Sequence, residues 1–422
     1  LCTRKKICAD LPHAVHAQYD GGEILIEKAN GNIIPDLIPG APVGISIYSV
    51  TQEAPHHHEG FMEIIYCFKG PIRICSRSLD MLLEDGDIIS SDPFDVHYMS
   101  ATGTEAAEMD TSGADGSEGS DAKGSNAEGG GTEGGGAVSQ PAHNANAGGA
   151  GTSAKGQYDT GSDDTGNLMV SFYFDLQSPV FQKPDLDKLY FICEPSAIPE
   201  SKQENLAELK RLLLTLLYFY CFPHPKLPRA ETAARFSKKI IRTMLDHFHY
   251  FYFIANSTEY SDEMKSRFES IITYIEKNYS DKITLGGLCE TEHYNYKYLS
   301  RFFKKTSEVG FSKFVNDIRA YKSASILLET NRNISEISYE VGFSAPMYFY
   351  KVFKMWNGLT PHQYRKKLRE LAASADENIY YDIPAVKEDL EHFISFYFAQ
   401  LQVPELWLMP YIPFKGLPIE KV

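Results

Sequence analysis

Three histidines and a carboxylate are spaced so that they could share one site. His56 and His58 flank His57, then Glu63 and Gly70 follow, giving H-x-H-x4-E-x6-G, and His97 lies beyond a second turn at Glu84-Asp85-Gly86-Asp87. Imidazole and carboxylate donors suit a divalent cation. The same groups, with Tyr66 beside them, also suit a pocket for a small polar molecule. Tyr48, Tyr66 and Arg73 are weaker pocket candidates than the histidines and Glu63, because strand direction is not fixed by sequence.

The elements that would position these residues are strands. Short β-branched or aromatic runs at 43–50, 61–68, 71–75, 79–83, 87–90 and 96–100 are separated by Gly, Asp and Pro. Such spacing predicts a small antiparallel barrel or sandwich. Residues 1–42, with Pro35, Pro39 and Pro42, predict no particular fold. Between about 101 and 167 lie more than half of the 31 glycines, with Ser, Ala, Asp and Glu. That tract cannot bury enough apolar surface to offset its ordering entropy, so it predicts a disordered acidic insert in a surface hairpin of a barrel spanning 43–200.

Helices follow over 201–262. Leu206, Leu209, Leu212, Leu213, Leu216, Leu217 and Tyr220 recur at helical spacing until Pro223. A second stripe, from Ile240 to Tyr252, predicts a helix over 232–255. Either the pair packs on the barrel as core, or so wide an aromatic stripe is covered by a second copy in a homodimer.

Residues 263–370 carry two helix-turn-helix patterns, the arrangement of a DNA reader. In the first, Thr284 caps a short helix, His293-Tyr294 turn, and Asn295 caps a helix with Tyr298, Leu299, Phe302 and Phe303 inward. Lys297, Ser300, Arg301 and Lys304 then face outward. In the second, Asn333 caps 334–340, Gly342 fits a turn that needs positive φ, and Ser344 caps a helix with Tyr348, Phe349, Val352 and Phe353 inward. Met347, Tyr350, Lys351 and Lys354 face outward. Thr360 and Gln363 form a capping box with Pro361 at the first helical position. Asn295, Ser344, Thr360 and Arg365 are candidates for capping or phosphate contact. A helix over 312–330, ~27 Å long, would hold the two outward faces near the ~34 Å repeat of major grooves on one side of a duplex. Taken singly, each exposed cation is as readily a solvated surface charge.

The net charge of -15 is unevenly spread. Between 103 and 166, eleven acidic and two basic residues give nine net negative charges, whereas 265–370 holds eighteen basic and eleven acidic residues, an excess of seven positive. The acidity of the whole chain therefore does not exclude a nucleic-acid partner. Seven scattered cysteines without a CxxC argue for a reducing, cytoplasmic compartment. The longest apolar run, 212–222, is too short for the ~20 residues of a spanning helix, nothing at the front reads as a signal peptide, and Leu1 predicts a chain truncated before its start.

The run YLSRFFKK at 298–305, ISEISYEVGF at 334–343 and FKMWNGLTPHQYR at 353–365 resemble the AraC-type transcriptional regulators, over about 268–369. The resemblance implies that Lys297, Ser300 and Arg301 approach base edges from the first unit, and Met347, Tyr350 and Lys351 from the second. It implies double-stranded DNA as partner, a small-molecule effector of the sugar class, a homodimer, contact with RNA polymerase, and neither cofactor nor catalysis. Gly286-Gly287 depart from the good helix formers expected there, at about 1 kcal/mol each. The second unit offers little hydrogen-bonding capacity, so the first should specify most of the sequence.

Residues 43–100 with the strand resuming at Leu168 resemble the cupin barrel at the front of many such regulators. The expected fold is therefore α+β: an antiparallel cupin-like barrel, then an all-α domain with two helix-turn-helix units. In cupin enzymes the matching histidines and carboxylate bind a divalent metal; in regulators those positions more often line a ligand pocket. A metal-free pocket at His56, His58, Glu63, Tyr66 and His97 thus ranks first, a metal site second, and solvated loop histidines third. The alternative function is a cupin metalloenzyme with a tethered helical domain. The tail, 371–422, is left between docking on the sensor, dimerisation, and the severed start of a further segment.

Overall fold

The computed structural model describes residues 28–29, 31–76, 79–101, 166–250, 261–291, 293–307 and 309–402. Its strands are β1 (Lys28–Ala29), β2 (Asn32–Ile33), β3 (Val43–Ser49), β4 (Phe61–Lys69), β5 (Ile72–Ser76), β6 (Leu79–Leu83), β7 (Ile88–Ser91), β8 (His97–Ala101), β9 (Leu168–Asp175) and β10 (Ile379–Tyr380). The expected strands appear within one or two residues of their predicted bounds. They do not close into one barrel. A five-stranded sheet, β10-β3-β9-β4-β7, stands beside a three-stranded one, β6-β5-β8. Since β8 and β9 belong to different sheets, the acidic stretch links two sheets and is not the loop of a hairpin. Residues 102–165 of that stretch lie outside the described residues.

One face of the large sheet is apolar. Met62, Ile64, Tyr66 and Phe68 of β4 join Val170, Phe172 and Phe174 of β9 in a core covered by α1 (Gln203–Cys221) and α2 (Arg229–Thr243). The last cover comes from the far end of the chain. Leu390, Ile394 and Tyr397 of α10 (Lys387–Gln400) are buried in this same core, Tyr397 Oη donates to Phe68 O at 3.0 Å, and Arg211 Nε donates to Leu401 O at 2.8 Å. Of the wide apolar stripe that sequence alone could assign to a second copy, Ile240, Ile241, Met244 and Phe248 are buried within the chain, and Phe251 and Tyr252 lie outside the described residues. The tail docks on the sheet domain, adding β10 to the edge of β3 with Tyr380 opposite Tyr48. Its aromatic end, Trp407 to Phe414, lies outside the described residues.

The second helix is shorter than its periodicity predicts. It ends at Thr243 and gives way to a π-turn, Met244–Phe248, before the backbone becomes extended at His249. A π-turn spoils the regular carbonyl pairing; the Leu245 and His247 carbonyls accept from Lys265 and Lys202.

The helical domain comprises α3 (Asp262–Asn278), α4 (Leu285–Thr291), α5 (Tyr296–Ser307), α6 (Phe311–Glu329), α7 (Ile334–Glu340), α8 (Pro346–Asn357) and α9 (Pro361–Ala373). Phe268, Leu299, Phe303, Phe314 and Ile318 form the first core; Ile337, Phe349, Phe353 and Leu368 belong to the second. The connecting helix α6 contributes to both. Asn295 Oδ1 accepts from Lys297 N at 3.0 Å, Asn333 caps α7, and the Thr360–Gln363 capping box is complete. Ser344 caps nothing: Ala345 takes the cap position of α8 with no side-chain hydrogen bond, and Pro346 begins the helix without an N–H to cap. Tyr298 and Tyr348, expected inward, are 43% and 48% exposed. Tyr298 stacks on Phe302 under the Arg267 guanidinium, and Tyr348 Oη accepts from Asn316 Nδ2 at 3.2 Å. Among the described residues no helix is long and apolar enough to cross a membrane.

Candidate functional site

The apolar face of β4 carries the even-numbered residues, so the odd-numbered Glu63 points to the other side. There it meets the histidines. His58 Nε2 lies 3.2 Å and His97 Nε2 2.9 Å from Glu63 Oε2, and the His56 ring sits edge-on to His97 at 4.3 Å between centroids. All four side chains are buried, with ligand atoms within 4.8 Å of one another. A bridge between His56 and His97, with reciprocal backbone hydrogen bonds of 3.0 and 2.9 Å, fixes the loop 54–58 against the start of β8.

The rings are oriented in one sense. His56 Nδ1 bonds Ala54 O at 3.0 Å, His58 Nδ1 bonds Ile33 O at 2.7 Å, and His97 Nδ1 bonds Asp95 O at 2.8 Å. A carbonyl only accepts, so each Nδ1 carries a proton; the Nε2 atoms of His58 and His97 face Glu63, and an ion would take those contacts over. Backbone support of this kind is how metal-ligating histidines are held. A tetrahedral ion with bonds of ~2.0–2.1 Å needs donors ~3.4 Å apart. The donor types and ring orientations fit a divalent metal, provided that the widest pair draws in by about 1.4 Å and Glu63 Oε2 moves off the two imidazoles beside it.

Charge in the cluster follows from burial and contact. Burial would raise the Glu63 pKa, but hydrogen bonds and charge from His58 and His97 outweigh it and hold the carboxyl well below its usual range. Burial disfavours charge on His97 too, yet its bond to Glu63 lifts it to about 9. His56 is held well below an ordinary histidine by burial, then by the charges on His97 and His58. Without an ion the cluster thus pairs a carboxylate with a protonated His97 beside a neutral His56 in a dry setting, and a bound cation would take the place of that proton.

Tyr66 is not part of it. Its even position places it in the apolar core against Phe68 and Tyr397, at ring separations of 5.0 and 5.5 Å. Arg73 also lies elsewhere, paired with Asp80 at 2.7 Å on the exposed side of β5. Sequence reasoning missed four residues around the cluster. Tyr173, opposite Glu63 on β9, meets His58 edge-on at 5.0 Å. Burial lifts Glu53 to about 7; its Oε1 accepts from Asn378 Nδ2 at 2.8 Å, while Oε2 is buried without a hydrogen-bond partner among the described residues. Tyr380, from the tail, leans on Tyr48 at 5.5 Å. Asn378 and Tyr380 come from a segment whose role has no local signal.

The middle histidine faces the other way. His57 Nε2 pairs with Glu329 at the last position of α6. Nearby, Tyr321 Oη donates to Pro93 O at 2.5 Å, Lys322 Nζ sits 4.2 Å above the Phe94 ring and 2.9 Å from Glu276 Oε2, and Val96 is buried in the second reader core. Gly31, at φ +90°, packs so closely on Leu328 that a Cβ would come within 2.7 Å of it.

On the helical domain, Lys297, Arg301 and Lys304 project from α5 exposed, with Ser300 half-buried. Lys351 and Lys354 project from α8 beside Met347, which is 85% exposed, and the half-buried Tyr350. The cations of both expected outward faces are therefore exposed, whereas Tyr350 packs against the second core and the His362 ring, 5.9 Å away. Arg365 is not available to phosphate: it is buried, and its guanidinium donates to Leu327 O and Arg332 O at 3.3 and 2.8 Å, tying α9 to the end of α6. Asn295 and Thr360 are spent on helix caps.

Residues 288–367 match the family profile described as a helix-turn-helix domain. Among curated proteins, the bifunctional transcriptional activator/DNA repair enzyme AdaA of Bacillus subtilis is 31% identical over 96 residues, 23% of this chain and 46% of that protein. The regulatory protein PocR of Salmonella typhimurium is 30% identical over 105 residues, 25% of this chain and 35% of that one. Among solved structures, the C-terminal domain of the response regulator yesN of Fusobacterium nucleatum is 36% identical over 24% of this chain and 98% of its own, with a TM-score of 0.23. The chain spans less than half the length of these curated relatives. Residues 288–367 thus form an AraC-type helix-turn-helix domain, and over that domain the chain is similar to transcriptional regulators.

Proposed function

We propose that the protein regulates transcription by binding double-stranded DNA with α5 and α8 in successive major grooves, under the control of an effector held at His56, His58, Glu63 and His97. The observation that carries the DNA half is the pair of solvent-facing basic helix surfaces on one connecting helix. Its nineteen residues span about 28 Å, within reach of the groove repeat. The effector half rests on the buried donor set. A sugar, the class suggested by family resemblance, is the second reading, favoured by the orphan Glu53 Oε2 that would accept a hydroxyl. Three Nε2 atoms converging on a carboxylate favour a cation. The contacts from these loops onto α6 favour sensing over catalysis, and the reading places the protein in the cytoplasm, where the DNA is.

Selection of oligonucleotides from a random duplex pool with the full chain tests it. Enriched sites should carry two conserved blocks about one helical turn apart. Enrichment of nothing, or of one block only, would overturn the two-groove reading.

A further inference from the structure

Building on the reading that the buried cluster is the effector site, we propose that its effector is a divalent transition-metal ion and that occupancy is relayed to both readers through the contacts of His57 with Glu329 and of Pro93 with Tyr321. Three of the four donors sit on two short segments, the loop 56–58 and the residues 92–97. The same two segments supply the surface that rests on α6.

Each segment has a donor side and a contact side. Along 56–58 the first and third imidazoles enter the cluster, while the second reaches Glu329. At 92–97, His97 enters the cluster, whereas the Pro93 carbonyl, Phe94 and Val96 bear on Tyr321, Lys322 and the apolar face of α6. Phe94 is held at φ 70°, so this loop has little slack to absorb a displacement. Seating an ion draws in the widest pair of donors and moves Glu63 Oε2 off the two Nε2 atoms it now touches, and this rearrangement displaces the segments that carry His57, Pro93 and Val96.

The helix that receives this motion is shared. Phe311, Phe314, Val315 and Ile318 of α6 pack in the first reader core, and Ala320, Ala324 and Leu327 in the second. Lys322 extends the contact to Glu276 of α3, which also accepts from Tyr190. Coupling requires that the ion bind two arrangements of this seam unequally.

The test uses the full chain, Co(II) as probe, and a duplex selected as above. Co(II) should bind once per chain with ligand-field absorption and shift DNA affinity about tenfold, a usual size for coupling. The double variant Glu329→Gln/Tyr321→Phe should keep the Co(II) spectrum and lose the shift. Glu63→Gln should lose both; if it does not fold, His56→Phe removes one neutral donor. DNA retained with no Co(II) bound overturns the metal assignment and leaves the regulator reading standing. Co(II) bound with DNA affinity unmoved, or moved equally in the double variant, overturns the relay. DNA never retained, with or without Co(II), overturns the regulator reading and the relay with it.

Discussion

His57 and Glu329, 272 positions apart in the chain, meet side chain to side chain where the sheet domain rests on the helix joining the two readers. The pair is one edge of a seam that continues through Tyr321 and Lys322. The same surface of α6 thus serves as the back of a DNA-reading domain and as the floor beneath a donor cluster.

Arg301 and Lys354 should separate specificity from affinity. Arg301→Ala is expected to cost about 1–3 kcal/mol and relax base preference in one half of the site. Lys354→Ala should weaken all sequences alike and lower the salt slope by about one. Titrations on matched and mismatched duplexes at several salt concentrations distinguish them; equal loss on every duplex for Arg301→Ala would reduce it to a phosphate contact.

Gly342 should tolerate no side chain. It sits at φ +92°, and a Cβ would lie 2.7 Å from Tyr279 O and 2.8 Å from Ser280 O. Gly342→Ala should destabilise the helical domain by about 2 kcal/mol or more. A denaturant midpoint unchanged from wild type would show that the turn relaxes freely.

His249 should sensitise the fold to acid. Burial, then the charges of Lys265 and Lys183, lower it to about 3, with Glu269 Oε1 3.8 Å away. The unfolded chain therefore binds the proton first, and stability falls as pH drops from about 6.5 toward 3, by about 2 kcal/mol at pH 5. His249→Gln should flatten that part of the stability curve; a slope between pH 6.5 and 5 as steep as that of wild type would refute this.

The tail should be part of the sheet domain's core. Leu390 is fully buried there, so Leu390→Asp should cost more than about 3 kcal/mol. The loss should appear in the sheet domain, read by hydrogen exchange of β3 and β9, with α7 to α9 still protected. Unchanged protection of β3 and β9 would show the helix is only an accessory.

How much of this was legible in the sequence varies with how local the signal is. Strand bounds, the Asn295, Asn333 and Thr360 caps and the Gly342 turn rest on near neighbours, and they stand where the residue pattern puts them. The faces of β4 were harder to read. That strand is buried on both sides, so alternation of polarity does not show which residues accompany Glu63, and Tyr66 lies on the opposite face, in the apolar core. Arg365 resembles any exposed cation in sequence; only the freed carbonyls at the end of α6 reveal its job. His57 read as a spacer between two donors, because its partner comes from a helix far along the chain.

The return of the chain after α9 has a mechanical consequence. The reading heads are tied to the sheet domain on both sides, through His249, bridged to Phe191, before them and through β10 and α10 after them. A two-point suspension of this kind rules out a pendulum swing on a single tether. Proteolytic nicking of either connection alone should leave the fragments co-migrating, and any allosteric motion must be a slight roll about the axis through both anchorages.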